Sequence, residues 1–273
     1  MHVRSVPKAE LPSTVLTATP DQLVSLINDR YDKIQSLTAQ VTFQLTEGGE
    51  LRGKEKTYSS FNGYIVMRRP AKVRVIGYLP VVHMPAFDMA SDGDTFTMLI
   101  PPRSEAFTGS NKVYTPSKKP LENLRPEVFF DSLLIASIKP DDLRLLTSGT
   151  KTILDTKTKR LLILPLYELT ILHRESSLSN ILVPNRTILF DRTTLEPIEE
   201  DIYDAKGAIE TQAIFGRTVN NGGVLFPAQI TIRRPLQQYQ ILVNFEKMRF
   251  NEQTNAGEFV LKIPSGMKVK ILG

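Results

Sequence analysis

From Ala39 onward the apolar residues recur at every second position, and this alternation persists, broken by Gly-, Pro- and Asn-rich turns, almost to the end of the chain. A period of two is that of a strand with one face buried and one face wet. Ala39, Val41, Phe43 and Leu45 share one face, with Gln40, Thr42 and Gln44 on the other, before Gly48-Gly49 turns the chain. A longer strand, Tyr58 to Arg69, ends at Pro70, which has no N–H to give to a ladder. Val73, Val75, Gly77 and Leu79 then alternate with Lys72, Arg74, Ile76 and Tyr78. After Phe87 to Ser91, Asp92-Gly93 supplies a hairpin turn, and Phe96, Met98 and Ile100 alternate up to Pro101-Pro102.

The second half returns to the same pattern. "RLLILPLYELTILHRE" reads as one or two strands. Three more follow from Arg186 to Gly216, with turns at Asp191 to Thr194 and Asp204 to Gly207. Asn220 to Gly223 makes a further turn, and "FPAQITIRRP", "YQILVNFEKMRFN" and "EFVLKIPSGMKVKIL" complete the series.

A sheet with one apolar face must bury it, and two helices are available. Thr19 is a good N-cap, with Pro20 in the first turn and Gln22 completing a capping box. Leu23, Leu26, Ile27, Tyr31 and Ile34 then follow at helical spacing to about Leu37. A second, more apolar helix is expected from Glu127 to about Ile138, with Phe129, Phe130, Leu133, Leu134 and Ile138 on its face and Lys139-Pro140 ending it. Residues 1–18 read as an extended leader or tether, and residues 110–126 as a loop. The expected fold is mainly β (α+β): a curved antiparallel sheet of about ten to eleven strands, open or nearly closed, with a helical lid, in one domain over residues 19–273.

Composition removes several functions from consideration. No run of about 18 apolar residues occurs, so no transmembrane helix is expected. There is no cysteine, hence no disulfide or thiolate chemistry. The net charge of +5 is dispersed, and Lys157, Lys159 and Arg160 lack interleaved aromatics, so no nucleic acid is expected as a partner. His2, His83 and His173 share no metal-ligand spacing, and no metal or other cofactor is expected. Asp141-Asp142 and Glu199-Glu200-Asp201 are carboxylate runs without a partner base, and the second reads as a hydrated strand edge. Both Gly-Gly pairs lie between strands rather than before helices, so neither is a phosphate loop. The protein is not expected to be an enzyme.

An apolar sheet face under a helix is either a permanent core or, where the helix can lift, a ligand cavity. The stretch "GYIVMRRPAKVRVIGYLPVVHMPAFDMASDGDTFTMLIPPRSEAFTG" bears on that choice. Its order of elements is a strand ending in Arg69-Pro70, the strand Lys72 to Leu79, Ser91-Asp92-Gly93, and the strand Phe96 to Pro101. This order resembles the LolA/LolB-like family of periplasmic lipoprotein carriers and receptors. "IQSLTAQVTF", "FDRTTLEP", "YDAKG", "FPAQITI" and "EFVLKIPSGMKV" resemble the same family, so the likeness covers roughly residues 21–110 and 184–272. The chain departs from the family in lacking Trp and in carrying extra sequence near 139–183.

The resemblance implies an incomplete β-barrel, lidded by helices, around a hydrophobic cavity for acyl chains. It implies a ligand that is a lipid or the acyl chain of a lipoprotein, with the membrane surface or another envelope protein as further partners. Expected cavity residues are Val41, Phe43, Val73, Val75, Phe96 and Met98 on strands, and Phe129, Phe130, Leu133 and Leu134 on the lid. Arg69 matches the family's Arg before Pro, which tethers a lid helix in carriers; a basic residue snorkelling at a strand end is the other reading. The implied address is the periplasm or an outer-membrane anchor, with a signal segment removed upstream of Met1 and residues 1–18 as tether. The alternatives are an interaction or sensor module built on the same scaffold without a cavity ligand, and an envelope hydrolase using Asp or Glu.

Overall fold

The computed structural model describes residues 8–49, 53–82, 84–111, 124–154, 158–176 and 180–272. His2, His83, Lys157, most of the 110–126 loop and the first residues of the leader lie outside them. In chain order the elements begin with helix α1 (Pro20–Lys33), then strands β1 (Ser36–Gly49), β2 (Lys54–Thr57), β3 (Phe61–Arg68) and β4 (Lys72–Tyr78). Next come β5 (Pro85–Ser91), β6 (Thr95–Ile100), β7 (Glu105–Ser110) and helix α2 (Pro126–Leu133). They continue with β8 (Leu143–Leu154), β9 (Leu161–Arg174), β10 (Leu182–Asp191), β11 (Glu196–Tyr203) and β12 (Ile209–Phe215). The last are β13 (Thr218–Asn221), β14 (Val224–Pro227), β15 (Gln229–Arg234), β16 (Tyr239–Phe250) and β17 (Lys268–Leu272).

Seventeen strands among the described residues exceed the ten to eleven expected. The excess comes from short pieces such as β2 and β13, and from β8, whose side chains are exposed along nearly all of its length. A strand with no buried face carries no alternation for the sequence to show.

The chain forms two compact units, one from Met1–Leu26 with Ile138–Ala208, the other from Ile27–Ser137 with Ile209–Gly273. In the first, β8, β9, β10 and β11 pair antiparallel in sequence order. Leu166, Leu169, Ile171, Ile188 and Phe190 are buried there. Residues 8–18 run extended along this sheet. Glu10 bonds through its backbone to Leu161 and Ile163, and the Leu16 N–H donates to the Arg192 carbonyl.

In the second unit the strand order is β17-β7-β6-β5-β4-β3-β1-β16-β15-β12, and the path from β17 to β12 does not close on itself. The neighbours are antiparallel except β17, which lies parallel to β7, so the sheet is mixed rather than purely antiparallel. A terminal segment arriving from the far side of the sheet can add in the parallel sense because no tight hairpin constrains it.

The alternating face of this sheet is the core. Val41 and Phe43 of β1, Ile65 and Met67 of β3, Val73 and Val75 of β4, Phe96 and Met98 of β6, and Ile230 and Ile232 of β15 are buried on it. Helix α2 packs over β4, β5, β12 and β15, burying Val128, Phe129, Phe130 and Leu133. It stops at Leu133, not Ile138: Leu134 is already extended, with its N–H still bonded to the Phe130 carbonyl at 3.3 Å. Leu134 and Ile138 are buried without being helical.

Helix α1 starts with the expected capping box, the Thr19 N–H donating to Gln22 Oε1 at 2.8 Å and the Gln22 N–H to Thr19 Oγ1 at 3.3 Å. It ends four residues before the expected Leu37, because Asn251 caps it from the far end of the chain. Asn251 Nδ2 donates to the Lys33 carbonyl at 2.8 Å, and its Oδ1 accepts the Gln35 N–H at 2.8 Å.

Candidate functional site

A cavity of about 550 Å³ opens in the second unit, at the end of the sheet where β1, β4 and β6 finish and β3, β5 and β16 begin. The strand ends place its wall. Phe43 and Leu45 enter from β1, Met98 and Ile100 from β6, and Tyr239 and Ile241 from β16. Phe61, Phe87 and Tyr78 complete the sheet side, and Leu124 and Phe129 close it from α2 and the residues before it.

The rings form one cluster around Phe43. Its centroid lies 5.5 Å from Phe61, 6.3 Å from Phe87 and 6.2 Å from Phe129, and Phe61 meets Phe87 edge-on at 6.0 Å. Tilted and edge-on pairs at these separations are favourable ring geometries.

Two glycines make room for them. Gly63 and Gly77 stand directly opposite each other on β3 and β4. A Cβ at Gly77 would come within 2.5 Å of the Phe87 ring and 2.7 Å of Phe61, and one at Gly63 within 2.5 Å of Phe43. The pair is a notch in the sheet that seats the aromatic cluster.

Of the residues expected at a cavity, Phe43, Met98 and Phe129 line this one. Val41, Val73, Val75, Phe96, Phe130, Leu133 and Leu134 lie on the same apolar face or on α2, but pack in the core rather than at the cavity wall. Leu45 and Ile100 were not anticipated, although each continues an alternation already visible as Val41-Phe43 and Phe96-Met98. Tyr239 and Phe61 begin strands whose phase the sequence alone leaves open.

Arg69 engages α1, not α2. Its guanidinium sits 3.6 Å from the centroid of the Tyr31 ring, and Nη1 donates to the Tyr31 carbonyl at 2.9 Å.

At and behind the cavity wall, the polar side chains of Tyr239, Arg234 and Arg125 are buried. Burial pushes the Tyr239 phenol up to about 12, against the pull of Arg234 and Arg125, so it stays neutral. Arg234 is held by Thr211 at 2.6 Å and Glu210 at 2.9 Å. Burial pulls Arg125 down from its ordinary value, and its guanidinium lies 4.6 Å from the Phe96 ring centroid. No group of three or more His, Asp or Glu side chains gathers in metal-binding geometry among the described residues.

The carboxylates of β11 are not a hydrated edge. Glu199, Glu200 and Asp201 are all buried. Glu199 pairs with Lys151 at 3.4 Å and Glu200 with Arg186 at 3.3 Å. Basic residues on β10, the adjacent strand, and on β8, at the edge of the same sheet, take the place of water around them.

No family model matches the sequence, and no curated protein matches it. Solved structures do match the fold. A DUF1329-family protein from Desulfovibrio piger superposes with a TM-score of 0.54 at 16% identity, covering 88% of this chain and 95% of the other. A LolA-superfamily protein from Nitrosomonas europaea superposes with a TM-score of 0.50 at 12% identity, covering 90% of this chain and 99% of the other.

Proposed function

We propose that this chain, whose fold is LolA-like, is a non-enzymatic cell-envelope protein that holds a lipid or the acyl chain of a lipoprotein in the cavity of its second unit. The observation that carries this reading is the cavity itself: about 550 Å³, walled by Phe43, Phe61, Phe87 and Phe129 with aliphatic neighbours. Volumes of about 300–1,000 Å³ with predominantly apolar walls are those of small-molecule sites. Each methylene buried there contributes about 0.8 kcal/mol.

The rim supports an encounter with a membrane or an acylated partner. Leu79 and Pro80 line the cavity, and the same connection from β4 to β5 exposes Val81, Val82 and Met84, Val81 to 91%. Exposed apolar residues grouped at a cavity mouth mark a surface that meets another apolar surface. Carriage of lipid between envelope membranes is the role this combination fits.

The test is titration of the purified protein with a fluorescent fatty-acid probe, followed by displacement with unlabelled fatty acid. Saturable, displaceable binding that falls at least about tenfold in Phe129→Asp is expected. A folded protein that never takes up the probe overturns the reading.

A further inference from the structure

Tyr239 lines the cavity and is buried, and its hydroxyl, enclosed by protein, makes no hydrogen bond. Buried polar groups are hydrogen-bonded as a rule, and phenylalanine would supply the same ring without the orphan donor. Arg234 stands directly opposite Tyr239 on β15, so the two side chains share the core face, and Thr211 and Glu210 hold its guanidinium. Arg125 follows the cavity-lining Leu124 and stands at the start of α2, which no side chain caps. Burial keeps the Tyr239 hydroxyl protonated, while Arg234 and Arg125 both favour negative charge at its oxygen. The two guanidinium groups also repel each other. Glu210 on Arg234 and Glu127 in the first turn of α2 offset part of this positive charge. Glu47 is opposite Tyr239 on β1, but its Oε2 accepts the Tyr58 hydroxyl at 3.0 Å and Lys56 faces it across β2.

We infer that the cavity takes a free fatty acid, its ionised carboxylate accepting a hydrogen bond from Tyr239 beside Arg125 and Arg234, its chain against the rings of Phe43, Phe61 and Phe87. This rests on the lipid-binding reading above and adds the class of ligand. A mainly apolar cavity orients what it holds through a few convergent polar groups. The acceptor has to be compact, because the hydroxyl is enclosed. It meets the ligand as the Tyr239 ring tilts toward the open volume that it already lines, and side-chain changes of this kind are common on binding. A carboxylate is compact and carries the sign that two arginines and a helix N-terminus favour. An ester carbonyl is as compact but brings no charge to meet them.

The experiment compares palmitate, methyl palmitate and hexadecanol as displacers of the apolar dye N-phenylnaphthylamine from the full chain, in the wild type and in Tyr239→Phe. Palmitate is expected to bind the wild type about tenfold tighter than either neutral lipid. Tyr239→Phe is expected to remove about that factor for palmitate and to leave the dye and methyl palmitate unchanged. The variant deletes an unpaired buried hydroxyl, so without ligand it should unfold at the same or a higher denaturant concentration. Methyl palmitate bound as tightly as palmitate, or palmitate bound equally by the two proteins, overturns the inference while leaving the lipid-binding reading in place. A protein that binds neither the dye nor any of the three lipids overturns both.

Discussion

Arg69 lies over the face of Tyr31 at 3.6 Å and at the same time donates to the Tyr31 backbone carbonyl at 2.9 Å. Tyr31 is in the last turn of α1, where its carbonyl also accepts the Ile34 N–H at 3.2 Å. One side chain from the end of β3 thus caps the helix and stacks on it. Asp32, 3.7 Å away and 74% exposed, adds little. Arg69→Ala is expected to lower stability by about 2 kcal/mol, the sum of a charged hydrogen bond and a cation–π contact at modest values. Arg69→Lys restores only part of this, since an ammonium cannot stack flat. Denaturant unfolding measures both, and amide exchange should speed up selectively in residues 28–34.

The Gly63–Gly77 notch predicts that the cavity is sensitive to a residue that does not line it. Gly77→Val drives a side chain into Phe61 and Phe87, and overpacking of this kind costs about 1–3 kcal/mol. The rings can relieve the clash by moving toward the cavity. Probe affinity should therefore fall more than it does in a core variant of similar stability, such as Phe130→Leu, because Phe130 packs away from the cavity wall. Equal affinity in the two variants at matched stability would show that the notch does not shape the cavity.

Glu200 predicts a pH dependence in the first unit. Burial pushes its carboxyl up to about 7, helped by Asp201 and opposed by Arg186. The folded state therefore holds a proton that the unfolded chain, near 4.5, releases. Its contribution is fully present below about pH 4.5 and is lost as the pH rises through about 7, a span of about 3 kcal/mol. Glu200→Gln, which cannot ionise, should flatten this part of the profile. Unfolding followed at about pH 5 and about pH 8 measures the difference between the two proteins.

The segment before β17 buries one ring against the second unit. Phe259 is buried, lies 5.2 Å from the Arg68 guanidinium, and sits in a short turn capped by Asn255 with Glu258. Arg68 also donates to the Thr254 carbonyl at 3.1 Å. Phe259→Ala is expected to cost about 3–5 kcal/mol and to raise amide exchange from residue 251 through β17. Exchange unchanged in β17 would show that its parallel pairing with β7 stands without the ring.

The apolar face of the sheet was legible in the sequence because burial and alternation are the same signal: Val41, Phe43 and Leu45, or Phe96, Met98 and Ile100, could face only one way together. The position of the cavity along that face was not legible. Val73 and Phe43 are equally apolar and equally buried, and what separates them is distance from the strand end and from Gly63 and Gly77, a property of register across five strands. The end of α1 was hidden for a related reason, since its cap, Asn251, is 218 residues from the carbonyl it satisfies. Glu199 to Asp201 read as solvated because their basic partners lie on other strands. Strand β8 escaped notice because both its faces are wet.

The most direct test is to purify the chain and determine its mass under native conditions, then extract and identify what it carries. The account predicts a fraction of the protein with one added lipid-sized mass, released by denaturation and reduced in Phe129→Asp. Only the bare polypeptide mass, together with no displaceable uptake of a fluorescent fatty acid by the same folded preparation, would contradict it.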